Sequence, residues 1–277
     1  MKKVVLTMGA FLALSVATAQ GGYASLSVGY AAGTSAEAIG VKTDYPTATT
    51  FTQSNVIGTY GGGIPMALAG GYMISEHFGL ELGVNYFMGA EVTTDVTTTF
   101  YGDGSTTTSQ GDQIRVLPQL VLSTGSDFPI EIFAKAGVVM PVGGSTNFKV
   151  DAISTMQVAP DVFAQVPVVA VGNATGNFSY GYTGTVGAAY GISDNLSIFG
   201  ELQYTGLRAL SKSQTITSYM VGGVEQISAM TVSDKETTSV DELIETSNTD
   251  STKPTEVLGT TANYNSMGIN LGVCFKF

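Results

Sequence analysis

Cysteine and histidine are almost absent from this chain of 277 residues, which contains one of each. Because Cys274 has no second cysteine to pair with, an intrachain disulfide framework is excluded. His77 is the only histidine available as a catalytic base, and hydrolytic or acyl-transfer sites usually place such a base beside a nucleophile. The run Gly61-Gly62-Gly63 is followed by neither Lys nor Ser/Thr at the spacing of a phosphate-binding loop. The sequence therefore predicts no enzyme site and no cofactor.

Basic residues are also scarce, with 11 Lys and Arg against 22 Asp and Glu and a formal net charge of −11. Nucleic acids are polyanions that require basic patches, so they are excluded as partners. Only 12% of the residues are charged, and the mean hydropathy is +0.24. After residue 19, however, no uncharged apolar run is long enough to form a membrane-spanning helix. The apolar character must therefore be distributed along other elements.

The N-terminus has the pattern of a secretion signal. Lys2 and Lys3 precede an apolar run over residues 4–16, and small residues follow at 17–19. The run is shorter than the roughly 20 residues that a membrane helix needs, so we expect a signal peptide over residues 1–19, cleaved after Ala19. The remaining 258 residues, 20–277, are expected to form one domain with a formal charge of −13.

The last eleven residues, 267–277, alternate between apolar and small or polar side chains. The residues that share one face of an extended strand are Met267, Ile269, Leu271, Val273, Phe275 and Phe277. The opposite face carries Gly268, Asn270, Gly272, Cys274 and Lys276. About ten such residues suffice for a tilted strand to cross a bilayer, provided that the strand belongs to a closed barrel in which every backbone group is paired. One face is therefore expected to contact lipid and the other the barrel lumen.

Seven further segments alternate in the same way. They cover residues 22–32, 64–74, 78–90, 112–123, 130–140, 178–192 and 196–207. Short turns join the second strand to the third, the fourth to the fifth and the sixth to the seventh, whereas the other connections have roughly 31, 21, 37 and 59 residues. Pro118 interrupts the fourth strand and is expected to lie at a bulge or at weakened pairing, because proline lacks the N–H that a ladder needs.

Together with the terminal Phe277, this pattern resembles small bacterial outer-membrane β-barrels of the OmpA and OmpX type. The resemblance implies an all-β, eight-stranded antiparallel transmembrane barrel in a Gram-negative outer membrane, with short periplasmic turns and long extracellular loops. It also implies contact with outer-membrane lipid and lipopolysaccharide, and recognition of Phe275 and Phe277 as a C-terminal signal by the barrel assembly machinery. No cell-wall-binding domain is expected after Phe277.

The long loops are polar. Residues 93–108 are rich in Thr and Ser, and residues 209–264 contain three lysines and eight acids: Glu225, Asp234, Glu236, Asp241, Glu242, Glu245, Asp250 and Glu256. Segments 213–220 and 226–232 are expected to continue as a β-ribbon, and 241–252 as a flexible tip. Carboxylates can bind hard cations, but their spacing matches no defined calcium loop. A solvated acidic loop without a metal is the favoured interpretation.

Six charged residues fall on inward faces: Glu81, Arg115, Glu131, Lys135, Glu201 and Lys276. The interior of an eight-stranded barrel is only wide enough for side chains, so we expect these charges to pair across the lumen. Adjacent strands suggest the pairs Arg115 with Glu131 and Glu201 with Lys276, with Glu81 as the competing partner of Arg115. The network is interpreted either as a polar plug or as a gated narrow conduit. Cys274 is expected to be a small lumen side chain.

Two classes of function remain open. The first is a structural or surface-interaction barrel that displays acidic, Thr/Ser-rich loops to an extracellular partner of unknown identity. The second is a narrow channel or a transporter of small hydrophobic molecules, as resemblance to OmpW-like barrels would imply. A general porin is disfavoured because aqueous channels belong to barrels of roughly 16 to 18 strands. An outer-membrane lipid enzyme is disfavoured because His77 falls in an expected periplasmic turn, across the membrane from the outer leaflet.

Overall fold

The computed structural model describes residues 21–47, 49–99, 102–125, 129–159, 162–243 and 250–277. The expected signal peptide at 1–19 and half of the expected flexible tip, 244–249, lie outside these residues. No helix within the described ranges has both the length and the apolar character needed to cross a bilayer.

The described chain is built almost entirely of β-strands. In chain order they are β1 (Gly22–Gly33), β2 (Glu37–Tyr45), β3 (Thr52–Gly58), β4 (Gly63–Met73), β5 (Phe78–Gly89), β6 (Val92–Thr99), β7 (Gly104–Ser123), β8 (Ile130–Ala159), β9 (Val162–Gly176), β10 (Gly181–Gly191), β11 (Leu196–Gly206), β12 (Arg208–Val221), β13 (Val224–Glu225), β14 (Glu236–Val240), β15 (Thr255–Leu258), β16 (Thr261–Asn263) and β17 (Ser266–Lys276). A 3₁₀ turn at Ile227–Ala229 and a four-residue helix, α1 (Val232–Lys235), lie between β13 and β14.

Eight of these strands close into a barrel. Antiparallel ladders join β1 to β4, β4 to β5, β5 to β7, β7 to β8, β8 to β10, β10 to β11, β11 to β17 and β17 back to β1. The expected eight-stranded antiparallel barrel is confirmed. Closure pairs each of these strands on both sides and leaves no free edge in this part of the molecule.

The two faces of the barrel differ in chemistry. Outward side chains are apolar and exposed, as at Leu26, Leu68 and Leu271, whose exposed fractions are 59%, 55% and 65%. Inward side chains are polar and buried, as at Gln119 and Asn270. An apolar belt around a closed ladder is the surface that a bilayer requires, because lipid offers no hydrogen bonds to a backbone.

The strands next to the long loops continue beyond the barrel as a second sheet. Its order is β3–β2–β6–β7–β8–β9–β12–β14–β15, with parallel pairs at β2–β6 and β14–β15. Segment 213–220 lies in β12, so its expected extended conformation is confirmed. Segment 226–232 is not a strand: it contains the 3₁₀ turn at Ile227–Ala229 and the start of α1, whose first turn is capped by Asp234. We call these nine strands the upper sheet.

Candidate functional site

The lumen is filled in layers, and the layer nearest the short turns is an ion pair. The Lys276 ammonium donates to Glu131 Oε2 at 2.7 Å, and the Ser123 hydroxyl donates to Glu131 Oε1 at 2.6 Å. The side chains of Lys276 and Glu131 are 43% and 21% exposed. Both therefore remain in contact with solvent at this end of the barrel.

The middle layer is a buried cluster around Lys135. Its ammonium lies 3.0 Å from Glu81 Oε1 and 3.5 Å from Glu201 Oε2. Tyr23 donates its hydroxyl to the second Glu81 oxygen at 2.9 Å, and Asn270 Nδ2 donates to Glu201 Oε1 at 3.0 Å. One cation thus neutralises part of the charge of two carboxylates, and neutral donors satisfy the remaining oxygens.

Arg115 lies above this cluster and has no carboxylate partner among the described residues. Its Nε donates to Gln113 Oε1 at 2.8 Å, and its guanidinium carbon lies 4.0 Å from the centroid of the Phe87 ring and 5.9 Å from that of Tyr264. Stacking on aromatic rings partly compensates a buried guanidinium. Its Nη2 is buried and has no hydrogen-bond partner within the described chain.

The partners expected for these charges differ from those observed. Arg115 pairs with neither Glu131 nor Glu81, and Glu201 is bound by Lys135 instead of Lys276. The expected partners do not meet because they lie at different heights along the barrel axis. In the β7–β8 hairpin Arg115 lies opposite Pro141, whereas Glu131 lies close to the turn. Adjacent strands place two residues together only when both lie equally far from the hairpin turn.

An apolar layer closes the lumen toward the long loops. Its buried members are Ala31, Phe87, Leu117, Val139, Leu207 and Tyr264. Phe87 packs edge-on against Tyr264 with ring centroids 6.5 Å apart. The Tyr264 hydroxyl lies 3.1 Å from Thr146 Oγ1. The backbone N–H of Tyr264 donates to the Leu207 carbonyl at 2.9 Å. We call this layer the seal.

Sequence reasoning missed the seal. Phe87 is a large apolar side chain on a face that otherwise carries small and polar groups, and that contrast is the signal that would have identified it. Leu207 and Tyr264 lie just outside the membrane strands β11 and β17. No periodicity marks them, because their burial depends on how the long loops fold over the barrel.

Below the seal, a cavity of about 290 Å³ extends from the middle charged cluster past the Glu131–Lys276 pair to the short-turn end. Its mouth is lined by Gly21, Met73, Glu76 and Gly125, which belong to strand ends and turns. Its walls and floor include Tyr23, Ser25, Phe133, Lys135, Ser197, Phe199, Cys274 and Lys276. We call this cavity the vestibule.

The barrel wall is weakened at Pro118, as the sequence predicts. The β7–β8 ladder pairs Val116 with Met140 and then Gln119 with Gly137, with no pairing at Leu117 or Pro118 between them. A groove of about 740 Å³ lies on the outer wall here, bordered by Pro118, Leu120 and neighbouring small residues. Proline removes the N–H that would join the two strands.

Three acids of the last long loop, Glu225, Asp234 and Asp250, accept local hydrogen bonds. Asp250 accepts from the hydroxyl and the backbone N–H of Thr252 at 2.6 and 3.0 Å, and these bonds lower the pKa of Asp250 to about 2. Hydrogen bonds from Ser218 and the Tyr219 backbone likewise lower the pKa of Glu225. Within the described ranges, no group of three or more His, Cys, Asp or Glu residues is arranged to hold a metal ion.

The remaining residues of interest lie at the short-turn end. His77 Nδ1 is 3.1 Å from the Ser123 carbonyl oxygen and is exposed. Phe275 and Phe277 contact each other with ring centroids 5.1 Å apart, and the Phe277 N–H donates to the Gly22 carbonyl at 2.9 Å. Recognition of these two aromatic residues by the assembly machinery stays a prediction.

A closed ladder of eight strands, an apolar outer belt and a packed polar lumen define a small membrane-spanning β-barrel of the kind found in bacterial outer membranes. The short turns accordingly face the periplasm, and the upper sheet lies outside the cell. No family model and no curated protein sequence matches the chain.

Several solved structures have a similar shape. Neisserial surface protein A is 12% identical, with a TM-score of 0.39, and the alignment covers 93% of this chain and 98% of that protein's chain. OprG from Pseudomonas aeruginosa is 12% identical, with a TM-score of 0.45, covering 93% and 96%. CarO from Acinetobacter baumannii is 14% identical, with a TM-score of 0.31, covering 91% and 97%. These values do not extend any neighbour's function to this chain.

Proposed function

We propose that residues 20–277 form one exported barrel domain with a structural or surface-interaction role. The barrel anchors the upper sheet in the outer membrane and displays its acidic, Thr/Ser-rich loops. The observation that carries this proposal is the contrast between the two halves of the molecule. The lumen is blocked by the buried seal, whereas nine strands continue beyond the membrane belt.

The upper sheet has features of a recognition surface. Described acids of the last long loop, including Glu236, Asp241 and Glu256, outnumber its lysines, so the surface favours a partner that carries basic groups. Exposed Phe51 and Phe163 provide apolar contact area on other loops. The proposal includes lipid and lipopolysaccharide around the belt, recognition of the C-terminus by the assembly machinery, and no catalytic role for His77.

The display role is tested by removing the last long loop without disturbing the barrel. Ser211 and Thr260 are adjacent, since the Ser211 N–H donates to the Thr260 carbonyl at 2.8 Å and the Thr260 N–H donates to Ser211 Oγ at 2.9 Å. Residues 212–259 can therefore be replaced by an Asn-Gly turn. Cells displaying the shortened chain are compared with the wild type for adhesion to cells and to basic surfaces.

We expect the shortened barrel to assemble and to be heat-modifiable on gels, while adhesion is lost. A matched control replaces Glu236, Asp241 and Glu242 by their amides in the full-length chain, which separates charge from shape. Equal adhesion by wild type and shortened chain, with both barrels assembled, would contradict the display role.

A second candidate function is passage of small apolar molecules, and the observation that favours it is the weakened wall at Pro118. The vestibule and the outer groove are both lined by Glu81 and Gly22, so only a thin wall separates them. Replacing Pro118 by Val restores the missing N–H. If apolar molecules pass through this wall between the vestibule and the outer groove, Pro118→Val should lower the uptake of a small apolar dye into vesicles. Unchanged uptake by the folded variant would refute this path.

A further inference from the structure

Cys274 is the only cysteine of the chain and faces the vestibule. It lies on the inward face of β17 and is half-buried. In the barrel ladders it pairs with Ser25 on β1 and with Ser197 on β11, and both serines also line the cavity. The thiol therefore sits between two hydroxyl-bearing residues, in open space that is continuous with the periplasmic mouth.

The vestibule contains a polar group that lacks a partner. Ser197 is only 7% exposed, and its Oγ has no hydrogen-bond partner within the described chain. A buried hydroxyl without a partner is costly, so the site gains from a molecule that offers one. The volume of about 290 Å³ is large enough for a small polar molecule and too small for a protein segment.

The Glu131–Lys276 pair provides charged groups beside the thiol. Lys276 follows Cys274 by two residues on the same face, which places their Cα atoms about 7 Å apart. Its ammonium has three donors, and Glu131 is the only carboxylate within ion-pair distance of it among the described residues. Because both side chains are partly exposed, Lys276 can also donate to a ligand carboxylate, and Glu131 can also accept from a ligand ammonium.

We propose that Cys274 is a periplasm-facing acceptor for small zwitterionic disulfides of the cystine type, which it captures as a mixed disulfide. The Cys274 thiolate attacks one sulfur of the ligand, a new S–S bond forms to Sγ, and the ligand S–S bond breaks. The displaced sulfur leaves as a thiolate and takes up a proton. One thiol and one disulfide are consumed and one of each is produced, so no separate oxidant is required.

The ligand class follows from the compartment and the cavity. The periplasm is oxidising, so disulfides are available there, and the chain has no second cysteine with which to resolve the adduct internally. A cysteinyl group attached to Sγ carries one ammonium and one carboxylate, which are the charges complementary to Glu131 and Lys276. This inference depends on the orientation of the barrel and is independent of the display role.

The test compares three disulfides on the folded barrel in detergent micelles, where both ends are accessible. Cystine is zwitterionic, cystamine lacks the carboxylates, and 3,3′-dithiodipropionate lacks the ammonium groups. Adduct formation is followed by intact mass. We expect cystine to react about threefold faster than either analogue, the factor that one additional partly exposed ion pair would supply. Equal rates for the three disulfides, or a thiol that reacts only after unfolding in urea, would overturn the proposal.

Two variants locate the selectivity in the vestibule. Lys276→Gln should bring the ratio of the cystine rate to the cystamine rate down to about one, because both rates are measured on the same thiol; if this variant does not assemble, Glu131→Gln should likewise abolish the advantage over dithiodipropionate. The control is Cys274→Ser combined with Ser251→Cys, which places the thiol on an exposed loop. The same preference for cystine at position 251 would show that the vestibule does not select, and would also overturn the proposal.

Discussion

At the scale of single residues, Lys135 is the charge on which the lumen depends most. It is the only ammonium within ion-pair distance of Glu81 and Glu201 among the described residues, and the Glu81 side chain is only 3% exposed. Buried carboxylates are tolerated when a cation and hydrogen-bond donors compensate them, and are costly when a cation is removed.

We therefore predict that Lys135→Met destabilises the barrel strongly. Loss of one partner of a buried pair typically costs about 3–5 kcal/mol, and adding Glu81→Gln should recover part of that cost because fewer charges are left uncompensated. The measurement is urea unfolding from lipid vesicles.

Two comparisons calibrate this double-mutant cycle. The exposed pair Lys149–Asp151, at 2.8 Å, should contribute less than about 1 kcal/mol when Lys149 is replaced by Met. Arg115 and Glu131 share no contact, so their substitutions should be additive. Additivity between Lys135 and Glu81 would contradict the coupling inferred from their geometry.

A second residue-scale prediction concerns acid. The pKa of Asp250 is lowered to about 2, chiefly by the hydrogen bond from the Thr252 hydroxyl. A lowered pKa means that the folded turn favours the carboxylate. The stabilisation that the ionised Asp250 carboxylate gives to the folded turn is therefore complete above the ordinary pKa of 3.8, and it is lost as the pH falls through about 2.

NMR titration of the Asp250 carboxyl carbon should show this depressed midpoint. Thr252→Val should return the midpoint toward 3.8. Asp234, which caps α1 and whose pKa is lowered by hydrogen bonds from Thr231, provides the control. The titration midpoint of Asp234 should not move in Thr252→Val. An unchanged Asp250 midpoint in Thr252→Val would contradict the assigned cause.

Side-chain alternation predicts which face a residue occupies, but it does not predict its height in the barrel. Hairpin geometry could have supplied the height: Arg115 lies eight residues before the end of β7, whereas Glu131 is the second residue of β8. The Lys135–Glu201 contact could not be predicted in this way. It crosses the lumen between strands that share no hairpin, so it depends on the stagger of the closed barrel.

At the scale of elements, the β7–β8 hairpin joins the barrel to the upper sheet. The sequence predicts both strands but ends them early, at residues 112 and 140, whereas they extend to Gly104 and Ala159. Alternation of apolar with polar side chains fades where both faces meet water, so the pattern loses its signal although pairing continues. A register shift between Ile114 and Arg115 marks the transition.

Gly144 lies beside this bulge and is predicted to be required there. Its φ of +126° is one that other residues rarely adopt, and an added Cβ would clash with the Asp112 carbonyl oxygen. Gly144→Ala should lower the free energy of unfolding by about 1–3 kcal/mol.

The adjacent glycine provides a matched control. A Cβ on Gly143 would meet only the Ile114 side chain at 3.9 Å, so Gly143→Ala should change the urea midpoint little. Equal effects of the two substitutions would show that the bulge tolerates a side chain and that the hairpin does not depend on Gly144.

At the scale of the whole molecule, the closed barrel could be predicted from the sequence, whereas the strand pairing of the upper sheet could not. Alternating short and long connections require adjacent antiparallel strands, which leaves little freedom in the topology. The pairing of β12 with β9 and the parallel pairing of β2 with β6 join segments far apart in the chain. Such pairs depend on how the loops pack together once the barrel has placed their ends.

The layered lumen predicts that the wild-type barrel does not conduct ions. Water can enter the charged layers, because their side chains offer hydrogen bonds, but the seal offers few, and narrow apolar constrictions exclude water. Leu207 is 1% exposed and Tyr264 is 3% exposed, so these two side chains fill the lumen where the strands leave the membrane. The seal, rather than the ion pairs, is therefore the expected barrier.

Replacing both Leu207 and Tyr264 by Ala should open a path and produce single-channel currents in planar bilayers, whereas wild type should show none. Because the Arg115 guanidinium, which has no carboxylate partner among the described residues, lies directly beneath the seal, the currents should favour anions. Tyr182→Ala, which removes a lipid-facing ring of similar size, is the control and should remain silent. Currents through the wild-type barrel, or a folded double variant that stays silent, would show that the barrier lies elsewhere in the lumen.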